Sequence, residues 1–416
     1  MKKWFFILFL FSGAVSAQTV TLEQVNRLAR ENYPLIKQKD LVRQTKEITI
    51  ENLNKGYLPQ LSLSGQATYQ SDVTKVSVPV PGISIQPPSK DQYKVVADVN
   101  QVIWDGGVIK QQKTMQQLNA EVEEQKIEVE LYKLTDRINQ IYVSILYIDE
   151  QLKQTELIRK DLGTGIKKVE AQVNNGVAFR SNLLLLQAEL LKTDQRVIEL
   201  KASRKGLLDV LSLFTGESYN ETTVFESPAV TEVVDASVNR PELTLFQKQN
   251  QFFSGQANLI QAKNLPKASF FFQGGYGRPG LNMLDNQFSP FYITGVRFNW
   301  AFGGLYTAKR EKQLIEINKK NVTVQQDAFL LNTNTQLKQQ QAEVDKINQL
   351  IAKDLEIIDL REKVKEAAKA QLENGVITAN DYLREVNAED QARQTLIIHR
   401  VQLVQAKINY QTIKGK

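Results

Sequence analysis

The chain has no cysteine in 416 residues, which excludes disulfides, thiol nucleophiles, thiolate metal sites and a lipid anchor on an N-terminal cysteine. Its single histidine, His399, sits in an apolar helical stretch, where packing outweighs metal ligation. No Walker A loop, dinucleotide fingerprint or GxSxG elbow occurs, and the carboxylates are spread along the chain without a convergent pair. No catalytic, cofactor-binding or metal-binding residue is therefore expected, and the chain reads as a non-enzyme. Beyond the first residues there is no run of about 18 apolar positions, so no spanning helix is available. If this protein enters a membrane, it does so with strands. Neither sign of charge dominates, and the charges scatter as on solvated helix faces, so no nucleic-acid partner is expected.

At the N-terminus Lys2 and Lys3 precede an apolar stretch from Trp4 to Val15 and the small residues Ser16 and Ala17. Residues 1–17 read as a secretory signal peptide, and the mature chain is expected to begin at Gln18. Net charge then falls from +6 to +4, since two of the 52 basic residues leave against an unchanged 46 acidic ones.

The rest of the chain is written twice. Asn32-Tyr33-Pro34, Leu58-Pro59, Gly106-Gly107 and Asn175-Gly176-Val177 recur in the same order as Asn239-Arg240-Pro241, Leu265-Pro266, Gly303-Gly304 and Asn374-Gly375-Val376. A duplicated unit of roughly 200 residues is too long for a solenoid repeat and points to a doubled half-structure. The expected division is a first repeat over 18–215, a connecting segment over 216–238 and a second repeat over 239–416. The connecting segment has short extended-looking pieces, Thr222 to Phe225 and Glu232 to Val234, around Pro228.

Most of each repeat has helical periodicity. Leu131, Leu134, Ile138, Ile141, Ile145, Ile148 and Leu152 alternate steps of three and four, the seam of a coiled coil. A second seam runs from Leu183 to Phe214 and stops at Thr215-Gly216. The pattern predicts helices over about 20–56, 106–162 and 179–214, then 240–263, 304–373 and 378–413. The two Asn-Gly-Val turns reverse the long helices into their partners, with Gly176 and Gly375 supplying the left-handed residue. Heptads alone favour a cytoplasmic coiled-coil rod, and the alternative function is a periplasmic coiled-coil structural or adaptor protein without a channel.

Two windows argue otherwise. Leu61, Leu63, Ala67 and Tyr69 alternate with Ser62, Ser64, Gln66, Thr68 and Gln70. Tyr93, Val95, Ala97, Val99 and Ile103 then oppose Lys94, Asp98 and Asn100. In the second window Ala268, Phe270, Phe272 and Tyr276 oppose Ser269, Gln273 and Gly275; Tyr292, Val296, Phe298 and Trp300 oppose Gly295, Arg297 and Asn299. Val96, Val102, Phe271 and Ile293 break the alternation. Four strands are predicted, over about 60–71, 92–104, 267–277 and 291–301, each long enough to cross a hydrocarbon core when tilted. Lys94, Asp98 and Arg297 are the expected lumen-facing residues, and Trp104, Trp300 and Phe302 the expected membrane-interface aromatics. Long connections holding Pro79, Pro81, Pro87 and Pro88, and Arg278 to Pro290, fit external loops. Four strands cannot close a barrel, and an open edge in lipid leaves backbone groups unpaired, so the protein is expected to assemble.

The whole mature chain resembles the TolC-type outer-membrane efflux proteins. Thr21-Leu22-Glu23-Gln24, Gly56-Tyr57-Leu58-Pro59-Gln60-Leu61-Ser62, Ile103-Trp104-Asp105-Gly106-Gly107, Trp300-Ala301-Phe302-Gly303-Gly304 and the two Asn-Gly-Val turns carry the likeness. The resemblance implies a mainly α fold with a β-barrel part: four transmembrane strands and long coiled-coil helices per protomer, and a homotrimer with a twelve-strand barrel and a twelve-helix periplasmic tunnel. It implies an exit channel for efflux or type I secretion in the outer membrane, reaching into the periplasm. The implied partners are outer-membrane lipid, a periplasmic adaptor and an inner-membrane pump. Pro59, Gly106, Gly107, Pro266, Gly303 and Gly304 fall at its strand–helix junctions. Its tip gate maps onto Asn182, Leu185, Thr378, Asp381 and Arg384. Arg384 stands where the best-known member has a second aspartate, and Ile377 where it has an arginine, so a mixed Asp381/Arg384 ring is the expected lock. Thr378 and Asp381 also have the spacing of a helix-capping box, which needs no gate.

Overall fold

The computed structural model describes residues 19–75, 87–229 and 237–415. The signal segment 1–17, Pro79, Pro81 and the extended piece expected at Glu232 to Val234 lie outside them. The chain runs β1 (Thr19–Val20), α1 (Leu22–Asn32), a 3-10 turn (Pro34–Ile36), α2 (Lys37–Asn54), β2 (Gln60–Tyr69), β3 (Asp91–Trp104), α3 (Val108–Asn174) and α4 (Arg180–Thr215). It continues through β4 (Val224–Phe225), α5 (Pro241–Lys263), β5 (Lys267–Arg278), β6 (Ser289–Asn299), α6 (Gly303–Glu373) and α7 (Ala379–Lys414). Among the described residues, no helix is long and apolar enough to cross a membrane.

Two helices differ from expectation. The one expected over 20–56 is split, because Pro34 pushes Tyr33 out of the helical region to φ −66, ψ 126. The one expected to stop at Leu162 runs to Asn174. Gly163 and Gly165 each cost roughly 1 kcal/mol of helix propensity. The surrounding seam outweighs that cost: Leu162 and Val169 are buried with Leu186 and Leu383. At 67 and 71 residues, α3 and α6 are each about 100 Å long at about 1.5 Å per residue.

The chain forms two compact units that do not coincide with the repeats. One contains Met1–Ile36, Ile127–Pro241 and Ala328–Lys416, and the other contains Lys37–Lys126 and Glu242–Asp327. Each repeat contributes to both, so duplication in sequence is not division in space.

In the first unit β1 pairs in parallel with β4, so the connecting segment closes against the chain's first described residues. Val25, Ala29, Ile138, Tyr142, Ile145, Leu208, Leu211 and Phe225 form the core beneath. The Tyr142 hydroxyl lies 2.7 Å from the carbonyls of both Val20 and Glu226, one proton serving two strand ends. Arg204 fastens the same segment from below. It reaches Asp149 at 2.6 Å and donates to the carbonyls of Glu221 and Thr223 at 3.1 and 2.7 Å.

The second unit is built on an antiparallel sheet of order β2-β3-β5-β6. Its α5 packs closely on α3, where Gly255 leaves no space for a Cβ beside Leu118 and Met115.

Candidate functional site: a strand wall and two helical tips

The register of the sheet sorts its side chains. Leu61, Leu63, Val95, Val99, Phe270, Phe272, Tyr276, Tyr292, Val296 and Phe298 share one face, and most are exposed. An apolar sheet face of this size, left open to the surroundings, fits lipid.

Lys94, Asp98 and Arg297 share the opposite face, as the alternation predicts. Asp98 accepts a short hydrogen bond from Gln273. Two phenylalanines on this polar face, Phe271 among the residues that broke the pattern, have a reason to be here. Phe291 lies over Gly275 so closely that a Cβ there would meet its ring at 2.4 Å, and Phe271 lies 3.2 Å from the corresponding position on Gly295. Each ring covers a glycine of the neighbouring strand, the packing that keeps a glycine-containing sheet regular. Lys94 Nζ sits 4.7 Å from the Phe291 ring centre, and the Arg297 guanidinium 4.7 Å from that of Phe271. Sequence alternation flagged Phe271 but not Phe291, because pairing across strands is invisible without register.

Trp104 is a further departure. Simple alternation puts it with Lys94 and Asp98, but a bulge between Val102 and Trp104 sets Val102 opposite Ser269 and Trp104 opposite Ala268. The extra residue rotates the indole onto the apolar face. Trp300 and Phe302 contact each other at 4.8 Å between ring centres, and the Trp300 indole donates to the Asn264 carbonyl at 3.1 Å.

The two Gly-Gly landmarks differ locally. Gly106 and Gly107 have φ of 73° and 81°, a left-handed pair between β3 and α3. The Asp105 carboxylate caps α3 by accepting from the backbone N–H of Gly107 and Ile109 at 2.8 and 2.6 Å. A Cβ on Gly106 would strike the Ala262 carbonyl. Gly303 and Gly304 are instead the first two residues of α6 with no positive φ, and Gly304 makes room for Asn264. Pro59 precedes β2 and Pro266 precedes β5.

The tips form in the other unit and reverse the chain identically. Val177 N–H donates to the Gln172 carbonyl and Val376 N–H to the Gln371 carbonyl, both at 2.8 Å, with Gly176 and Gly375 at φ 70° and 71°. This is the Schellman closure expected of a glycine after a helix. The helices that leave the two turns start unequally. Thr378 and Asp381 make a full capping box for α7: the Thr378 hydroxyl donates to the Asp381 carboxylate at 2.7 Å and accepts from the Asp381 N–H at 3.2 Å. Hydrogen bonds from Thr378, helped by Arg384, hold the Asp381 carboxyl below its usual range. At the matching positions of α4 stand Phe179, with no side-chain cap, and Asn182. Arg384 is exposed and donates to Glu385 at 3.1 Å, while Leu185 is exposed on α4. Ile377 packs with Ala368, Tyr382 and Val386.

An ionic cluster near the tip was not anticipated. Lys365 of α6 lies 2.8 Å from Glu389 of α7 and 3.5 Å from Asp161 of α3, and Arg393 joins Glu389 at 2.5 Å and Glu362 at 3.2 Å. Lys168 and Glu373 pair directly and hold the Glu373 carboxyl low. Only the i,i+4 spacing of Glu389 and Arg393 hinted at this in the sequence. His399 does have a polar partner, with Nδ1 2.5 Å from buried Asp354. Among the described residues no group of three or more His, Asp or Glu could hold a metal ion.

No curated protein sequence matches the chain. Among solved structures, the channel-forming protein CusC superposes with a TM-score of 0.67 at 14% identity, covering 95% of this chain and 92% of its own. The outer membrane protein VceC from Vibrio cholerae gives 0.65 at 14% identity over 95% and 96% of the two chains. The open state of the MtrE outer membrane channel from Neisseria gonorrhoeae gives 0.64 at 12% identity over 95% and 89%. At such identities the likeness establishes the fold. The sequence profile of the outer membrane efflux protein family matches residues 25–217, so this part of the chain is similar to that family.

Proposed function

We propose that the protein is a passive exit channel of a tripartite efflux or type I secretion system. Three copies place their sheets edge to edge in the outer membrane, and substrate arrives from an inner-membrane pump through a periplasmic adaptor. The observation that carries this reading is the sheet itself. It has an exposed apolar face, a polar face, and edge strands β2 and β6 with no further partner in the sheet among the described residues. Lipid cannot satisfy open edges, so neighbouring copies must do so. Three such sheets make twelve strands, enough to enclose a lumen, whereas two would make eight and fill with their own side chains. The family match supports the same reading. The chain itself supplies no energy source, and its tip residues Asp381, Arg384, Asn182 and Leu185 form the gate.

Purified trimer in planar lipid bilayers tests the proposal. Discrete conductance steps are expected, with larger or more frequent openings in Asp381→Ala/Arg384→Ala. A heat-modifiable trimer that never conducts, or one that fractionates away from the outer membrane, overturns it.

A further inference from the structure

The polar face of the sheet is electrically lopsided. Along it the strands present Lys94, Lys267 and Arg297 but only one acid, Asp98. Each copy therefore contributes a net charge of +2 to this face. Lys94 stands opposite Gly277, Asp98 opposite Gln273 and Arg297 opposite Ser269. From Lys94 to Arg297 is thus eight residues along β5, roughly 26 Å at about 3.3 Å per residue. Two cationic rungs flank a single acidic one.

Neither rung cation is neutralised locally. Among the described residues Lys94 and Arg297 enter no ion pair, and each is seated over a phenylalanine ring, Phe291 and Phe271. A ring orients a cation without cancelling its charge, as a carboxylate would. Both rings are fixed in turn by the glycines beneath them. Assembly leaves this unchanged. Arg297 lies on edge strand β6, and the strand a neighbouring copy would bring against it is β2. The polar-face residues of β2 are Gln60, Ser62, Ser64, Gln66 and Thr68, none of them acidic.

Resting on the exit-channel reading, we propose that the strand wall selects for anionic solutes, with Lys94 and Arg297 as its selectivity residues. Asp98 opposes them and is itself restrained by Gln273. Rings of fixed side-chain charge set ionic preference in pores, and the preference strengthens as salt is diluted.

The test measures reversal potential across a KCl gradient with the full-length trimer in planar bilayers. Relative to wild type, Lys94→Gln/Arg297→Gln is expected to lower the chloride-to-potassium permeability ratio by about twofold at 0.1 M salt. The change should be larger at 0.01 M, where the Debye length grows from about 10 to about 30 Å. Asp98→Asn is expected to move the ratio the other way. Both substitutions leave Phe271 and Phe291 in place, and a heat-modifiable trimer confirms assembly of each variant. Channels whose reversal potential is the same in wild type and both variants overturn the selectivity proposal while leaving the exit channel standing. A trimer with no conductance overturns both.

Discussion

Lys365 and Glu389 form an ion pair at 2.8 Å with side chains only 11% and 7% exposed, so two helices near the tip are joined by charges largely withdrawn from water. Removing one partner strands the other. Glu389→Gln or Lys365→Met is expected to destabilise this region by about 3 to 5 kcal/mol, whereas the double change to methionine recovers most of the loss. Denaturant melts of the single and double variants check this, and strictly additive losses would contradict it.

The same pair gives a pH dependence with a definite sign. Burial alone would raise the Glu389 carboxyl, but hydrogen bonds from Lys365 and Arg393 hold it below its ordinary 4.5. A depressed acid contributes stability above its unfolded value and loses it as pH falls through the folded one. Asp390 next to it runs oppositely, because burial raises its carboxyl and protonation relieves the cost. Wild type should therefore lose stability below about pH 4.5 more steeply than Glu389→Gln, with Asp390→Asn steeper still. Thermal melts from pH 6 to pH 3 decide the matter.

At the tips, only α7 has a side-chain cap. Thr378→Ala should speed amide exchange over Ala379 to Leu383 while leaving the first residues of α4 unchanged. Phe179→Thr with Asn182→Asp should slow exchange at the start of α4, since it installs the missing box. Equal exchange at the two tips of the wild type would contradict this account.

Much of this was readable in advance. The order of elements comes from the doubled landmarks, because proline, glycine and heptad spacing act locally. The left-handed glycines at 176 and 375 and the Thr378/Asp381 box are where the sequence places them. What escaped the sequence depends on partners remote in the chain. The Trp104 bulge exists only relative to β5, Phe291 only gains meaning over Gly275, and the Lys365 cluster gathers three helices. The helix expected to stop at Leu162 runs on for a related reason, since packing of Leu162 and Val169 against Leu186 and Leu383 outweighs the weak local cost of Gly163 and Gly165.

Gly275 is expected to tolerate no side chain. Gly275→Ala would drive a Cβ into the Phe291 ring and cost about 1 to 3 kcal/mol of strain. On the proposed trimer, the readout is a lower temperature of dissociation on unboiled gels. Gly275→Ala/Phe291→Leu should regain part of it, and equal dissociation temperatures for wild type and Gly275→Ala would refute the packing argument.

Tyr142→Phe removes the one proton shared by the Val20 and Glu226 carbonyls, at a cost of about 1 to 3 kcal/mol. Faster proteolysis near residues 19–20 and 224–226, with the tips unaffected, is the expected outcome.

The pairing of Thr19 with Val224 also orders events during folding. A chain made amino end first presents β1 about 200 residues before the strand that will hold it, and such long-range pairing is slow to close. Through that interval Val25 and Ala29 of α1, buried in the finished fold, lack the cover that the connecting segment brings. The core around Tyr142 thus stays unfinished until the connecting segment supplies Phe225.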